Sequence, residues 1–145
     1  MKQLLTFVFA IFIGFGAHAE GNPPLDIRNA SEVTLDEFLW LNRLVIIFTD
    51  SERDPAFQKQ LELLQEHSSD LTERDVIVIA DIDPANPSEI RKTLRPRGFG
   101  FVLIDKDGLI KLRKATPWDT REISRSIDKT ELRKQELRDV RDRGT

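Results

Sequence analysis

The chain has 145 residues, no cysteine, and a net charge of −3 from 22 basic and 25 acidic side chains. That length suits one domain, and 39% hydrophobic against 32% charged residues is the balance of a folded protein rather than a disordered one. Without a thiol the chain cannot perform thiol–disulfide chemistry on its own or carry a lipid on an N-terminal cysteine, and its slight negative charge gives no global attraction to nucleic acid.

Residues 1–19 read as a cleavable signal peptide. Lys2 supplies the positive start, Leu4 to Phe15 is apolar apart from Thr6 and Gly14, and Ala17-His18-Ala19 fits the small-x-small cleavage rule, with cutting after Ala19. The apolar run falls short of the ~20 residues a spanning helix needs, so no membrane span is expected after cleavage. A periplasmic or secreted location follows. Export usually brings disulfides to small domains; here packing alone must hold the fold.

Residues 20–33, with Gly21, Pro23 and Pro24, read as an extended leader to a domain over 34–138. Thr34 and Glu37 have capping-box spacing, with a short helix expected to about Leu41. Leu44–Phe48 is continuously apolar and β-branched, the pattern of a strand buried on both faces. After a polar turn, Asp54-Pro55 reads as N-cap and first helical residue. Phe57, Leu61 and Leu64 share the buried face of that helix, which should stop near Ser68-Ser69. Val76–Ala80 is a second buried strand, and Asn86 to Glu89 caps a short helix carrying Ile90 and Leu94.

Phe101–Ile104 is a third strand. Asp107-Gly108 supplies the positive φ angles of a hairpin leading to Leu109–Arg113, where Ile110 and Leu112 alternate with Lys111 and Arg113 as if one face were wet. Thr116 to Asp119 caps a last core helix with Ile123 and Ile127, and the charged remainder is expected as a helical extension fraying over 139–145. Trp40 and Trp118 are expected as packing anchors at element ends.

Two buried strands joined by a helix must run parallel with a right-handed crossover. A closing hairpin and a final helix complete an α/β, thioredoxin-like three-layer sandwich: a central mixed sheet with helices on both faces.

Three stretches also resemble a known family. They are Trp40-x-x-Arg43 with Leu44–Phe48, Asp54-Pro55 and Gln60; the hairpin Leu103-Ile104-x-Lys106-Asp107-Gly108-x-x-Lys111-Leu112-Arg113; and Ile127-Asp128 followed by Arg133 and Glu136. On these the chain is similar, from Leu35 to about Glu136, to the bacterial domain of unknown function numbered 4174, also called P-DUDES. The resemblance implies a thioredoxin- or peroxiredoxin-like fold and kinship with a domain of animal sushi-repeat extracellular proteins. It implies no assigned activity. The chain departs from the family at Asp105, where members often carry Gly, and at Thr130-Glu131-Leu132, where they carry Met-Pro-Met.

In a thioredoxin fold the reactive loop follows the first central strand, where a helix N-terminus stabilises thiolate. Here that loop is Thr49 to Pro55, and Gly100 falls where a cis-proline is expected. The acids Asp50, Glu52 and Asp54 suit either acid–base work or capping and solvation. Asp81, Asp83 and Asn86 resemble the start of a calcium loop but lack its spacing, central glycine and terminal glutamate, and His67 is expected at the surface; no metal or cofactor is implied. Arg91, Lys92, Arg95 and Arg97, with Lys106, Lys111, Arg113 and Lys114, suit either an anionic partner or ordinary solvated faces. Arg43 and Arg133 could pair with acids such as Glu136.

The candidate functional surface is therefore Asp50, Arg53, Asp54, Gly100, Lys106, Lys111 and Arg113. The expected function is a redox-inactive binding module for an envelope or extracellular protein. The alternative is a cysteine-independent enzyme using the acidic loop 50–54.

Overall fold

The computed structural model describes residues 21–145; the signal peptide expected over 1–19 lies outside the described residues. Five strands, β1 (Ile27–Asn29), β2 (Arg43–Phe48), β3 (Val76–Asp81), β4 (Gly100–Ile104) and β5 (Ile110–Lys114), form one sheet in the order β1-β3-β2-β4-β5. Strands β1, β3 and β2 are parallel, whereas β4 is antiparallel to β2 and β5 to β4. Around them lie α1 (Pro55–Glu66), α2 (Ser68–Glu73), α3 (Glu89–Leu94), α4 (Thr120–Asp128) and α5 (Glu131–Arg143). Among the described residues no helix is long and apolar enough to cross a membrane.

Every residue of β2 is buried, and its alternating side chains divide the core into two layers. Leu44, Ile46 and Phe48 pack with Ile77, Ile79, Val102 and Ile104 beneath Ile90 and Leu94 of α3. Val45 and Ile47 pack with Val78, Phe101 and Leu103 against Phe57 and Leu64 of α1, Leu71 of α2, and Ile123 and Ile127 of α4. Burying each such side chain stabilises the fold by roughly 1.5–3 kcal/mol, so the sandwich needs no cross-link. Gln60, fully buried in α1, ties the layers' end: its amide donates to the Trp118 carbonyl at 2.9 Å and accepts from the Trp118 N–H at 2.8 Å.

Several local expectations are corrected. The leader contributes β1, which pairs Ile27 with Val78, and Ala30 enters the core; three residues with one apolar side chain carry no readable period. The helix after Thr34 is a single 3-10 turn, Leu35–Phe38, although Glu37 does accept from the Thr34 N–H. Trp40 is no packing anchor: it is 66% exposed at φ 64°, and its N–H donates to the Lys106 carbonyl at 2.7 Å. Trp118 does pack, tilted against Phe101 with ring centres 6.2 Å apart.

Helix α1 does end close to Ser68-Ser69, at Glu66 with His67 as its C-cap, but a second helix follows at once: buried Ser68 bonds the Pro23 carbonyl and opens α2. The cap of α4 is Asp119, accepting from the Arg121 N–H at 2.7 Å, rather than Thr116. Residues 139–143, expected to fray, continue α5.

The hairpin also differs. Only Gly108 has a positive φ, 81°, and a Cβ there would meet Leu39 Cδ2 at 2.9 Å, so glycine is required on both grounds. Ile104 pairs with Ile110 and Leu103 with Leu112, which leaves Lys111 as a bulge. The extra residue breaks the alternation: Arg113 lies opposite Val102, on the α3 side, while Leu112 lies opposite Leu103 on the other.

Candidate functional site

Five of the seven candidate residues fall at two ends of the sheet. Asp50, Arg53 and Asp54 follow the C-terminal end of β2, and Gly100 stands opposite Phe48 at that same end. Lys106 belongs to the other end, beside Arg43, because β4 runs antiparallel to β2. Lys111 and Arg113, both exposed, lie along the edge strand β5 between them.

At the Lys106 end the charges are structural. Arg43, 0% exposed, donates to Asp105 Oδ1 (3.0 Å), to the Arg74 carbonyl (3.1 Å) and to Glu136 Oε2 (3.1 Å). Lys106 Nζ lies 2.7 Å from Asp75 Oδ2 and 2.8 Å from Glu136 Oε1. Arg133 donates to Glu136 at 3.2 Å, and Arg74 clasps Asp128 with two bonds of 2.9 and 2.8 Å. The network fastens α5 to the sheet. Partial burial pushes the Glu136 carboxyl up, but Lys106, Arg43 and Arg133 outweigh it and hold its pKa at about 2. The Arg74 guanidinium likewise lowers Asp128. Lys106 is thus not a free surface cation. The expected Arg43 and Arg133 pairing with Glu136 is present.

At the other end a second cluster went unrecognised in the sequence. Arg91, expected among the surface cations, is buried: its Nε donates to Asp81 Oδ1 at 2.9 Å, its Nη2 to the Thr49 carbonyl at 2.9 Å, and its guanidinium lies 5.6 Å over the Phe48 ring. Ser88 donates to the other Asp81 oxygen at 2.6 Å and caps α3 through the Arg91 N–H. The one sequence signal was Asp81 ending an otherwise apolar strand, with a basic residue on the following helix.

The loop after β2 is shaped by capping. Buried Thr49 Oγ1 lies within hydrogen-bond distance of both the Ser51 carbonyl (3.0 Å) and Asp54 Oδ2 (3.1 Å), and Asp54 Oδ1 accepts from the Ala56 N–H at 2.9 Å. Asp54 is the N-cap of α1; Asp50 and Glu52 are exposed. Asp83 closes a turn by accepting from the backbone and side chain of Asn86, and among the described residues no group of three His, Asp or Glu side chains is placed to hold a metal ion.

Gly100 opens β4 in a chain segment where, among the described residues, no peptide bond is cis. Beside it lies an open groove of about 360 Å³ between the α3–β4 connection and the end of β5. Arg95, Arg97, Arg113 and Lys114 line it together with Phe48 and Phe99. None of these four cations has a carboxylate within salt-bridge distance among the described residues. Arg113 is anchored by donating to the Leu94 carbonyl at 2.6 Å, and Lys114 sits 4.9 Å over the Trp118 ring.

A parallel β1-β3-β2 core closed by an antiparallel hairpin, with helices on both faces and no cysteine, is a thioredoxin-like domain without its thiol. Its structural relatives agree. The reduced 2-Cys peroxiredoxin of Plasmodium vivax is 16% identical, with 66% of this chain and 81% of that one aligned at a TM-score of 0.55. A chloroplastic thioredoxin z is 19% identical over 74% of this chain and 99% of that one, at 0.56. Residues 34–136 match the family described as Domain of unknown function (DUF4174), and the chain belongs to it.

Proposed function

We propose that this domain is an exported binding module that engages a protein partner of the cell envelope or extracellular space through the C-terminal end of its sheet. The observation that carries the reading is the contrast at that end. The loop where redox relatives of the fold place a thiol has its inward groups, Thr49 and Asp54, engaged in capping, while the adjacent groove holds four cations without carboxylate partners. Catalysis by loop 50–54 finds less support, since acid–base work needs carboxyls held in differing environments beside a cleft, and Asp50 and Glu52 stand in solvent. Export rests on the signal-peptide pattern of residues 1–19. Kinship with a domain of animal sushi-repeat extracellular proteins would extend the same role outside bacteria.

Affinity capture from envelope extracts, quantified against a charge-matched unrelated protein, tests the reading. A specific partner retained by the Asp50→Asn/Glu52→Gln variant is expected. Recovery of nothing beyond the control would refute it.

A further inference from the structure

We infer that the groove bounded by Arg95, Arg97, Arg113 and Lys114 receives an acidic, extended peptide segment of the partner, held by its carboxylate side chains. This deepens the binding-module reading and rests on it. Charge complementarity carries the argument. The whole chain is net negative, yet this groove has four cations and no acid in its lining. Elsewhere the buried arginines, Arg43, Arg91 and Arg133, are all matched to carboxylates. Guanidinium forks select carboxylates by paired hydrogen bonds. The anchors of Arg113 on the Leu94 carbonyl and Lys114 on Trp118 restrict those two side chains beforehand, which reduces the entropy lost on binding.

The shape selects a segment over a small anion. A small ligand needs most of its surface enclosed, whereas this groove is open along one side. Phe99 and Pro96, both partly exposed, add apolar floor for the aliphatic parts of a chain. The bulge at Lys111 and the cations of β5 disfavour backbone pairing along the sheet edge, so recognition runs through side chains.

The test is an NMR titration of the isotopically labelled full chain with an end-blocked octaglutamate peptide, and separately with inorganic phosphate. Arg95 and Arg97 are exposed and their side chains make no hydrogen bond among the described residues, so Arg95→Glu/Arg97→Glu should fold normally. The expected result is saturable shifts at Arg95–Phe101 and Arg113–Ala115, at least about tenfold weaker affinity in that double variant, and no change in Arg138→Glu on α5. Arg113→Glu should weaken binding too, with its fold checked by the same spectra.

Absence of saturable shifts, equal affinity in the double variant, or the same shifts with phosphate alone at like concentration would each overturn the groove. If the double variant still captures the extract partner of the native chain, the groove fails and the module stands. If the native chain captures none, the module itself fails.

Discussion

Arg43 and Glu136 stand 93 residues apart in sequence and 3.1 Å apart in the fold. That contact joins the first residue of the central strand to the C-terminal helix, so α5 is part of the domain's stability and not an appendage to it.

Arg43 is the most deeply placed charge, and its neighbour Asp105 is 4% exposed. Removing one member of a buried pair leaves the other uncompensated, at a cost of about 3–5 kcal/mol. Arg43→Met should therefore lower unfolding free energy by about that amount in urea melts. Adding Asp105→Leu should recover part of the loss, because the stranded carboxylate is gone. A double variant less stable than the sum of the singles would contradict this assignment.

Glu136 gives a pH signature. Its folded pKa, about 2, lies below the unfolded value near 4.5. The stability it contributes is thus fully present above the unfolded value and is lost as pH falls through the folded one. Glu136→Gln should cost roughly 1–3 kcal/mol near neutral pH. Between about pH 5 and about pH 2 the native chain should lose more stability than the variant, so their urea midpoints converge. Parallel curves would show that the carboxylate is not engaged as described.

The strands facing the core were legible in the sequence because a double-sided core demands continuous apolar runs: Leu44–Phe48 and Val76–Ala80 announce themselves. β1 did not, since parallel pairing with β3 supplies from outside what its three residues lack. Cations were harder to sort. For Arg91 the sole hint is Asp81 at the end of an apolar strand, and nothing near Lys106 in the sequence distinguishes it from Arg97; only the fold brings Asp81 to one and Asp75 with Glu136 to the other. The pairing of Arg43 and Arg133 with Glu136 was readable only as a possibility among several acids. The groove was half legible: its four cations were in the expected basic segments, but the β5 bulge sets which face each takes, Arg113 on the α3 side and Lys114 over Trp118 on the other.

Asp54 separates a capping role from a catalytic one. Asp54→Ala should destabilise by about 0.5–2 kcal/mol, with amide exchange rising first in Ala56 to Gln58 of α1. Asp54→Ser, another good N-cap, should restore most of that stability. If partner binding falls in Asp54→Ser while stability is kept, the carboxylate itself takes part in function.

Arg91 links α3 to β2 and β3 through Asp81 and the Thr49 carbonyl. Arg91→Ala should cost about 3–5 kcal/mol and loosen Glu89–Leu94 before the strands, as read by hydrogen exchange. Gly108→Ala should cost about 1–3 kcal/mol from the left-handed conformation alone, with the Leu39 contact adding to it.

The most direct measurement is site-specific photocrosslinking from the full chain. A crosslinker at position 97, in the groove, should give a discrete adduct in envelope extract that disappears when Arg113→Glu is added, while one at position 138 gives none. Equal adducts from both positions, or none from 97 when affinity capture has already recovered a specific partner, would contradict a binding site at the C-terminal end of the sheet.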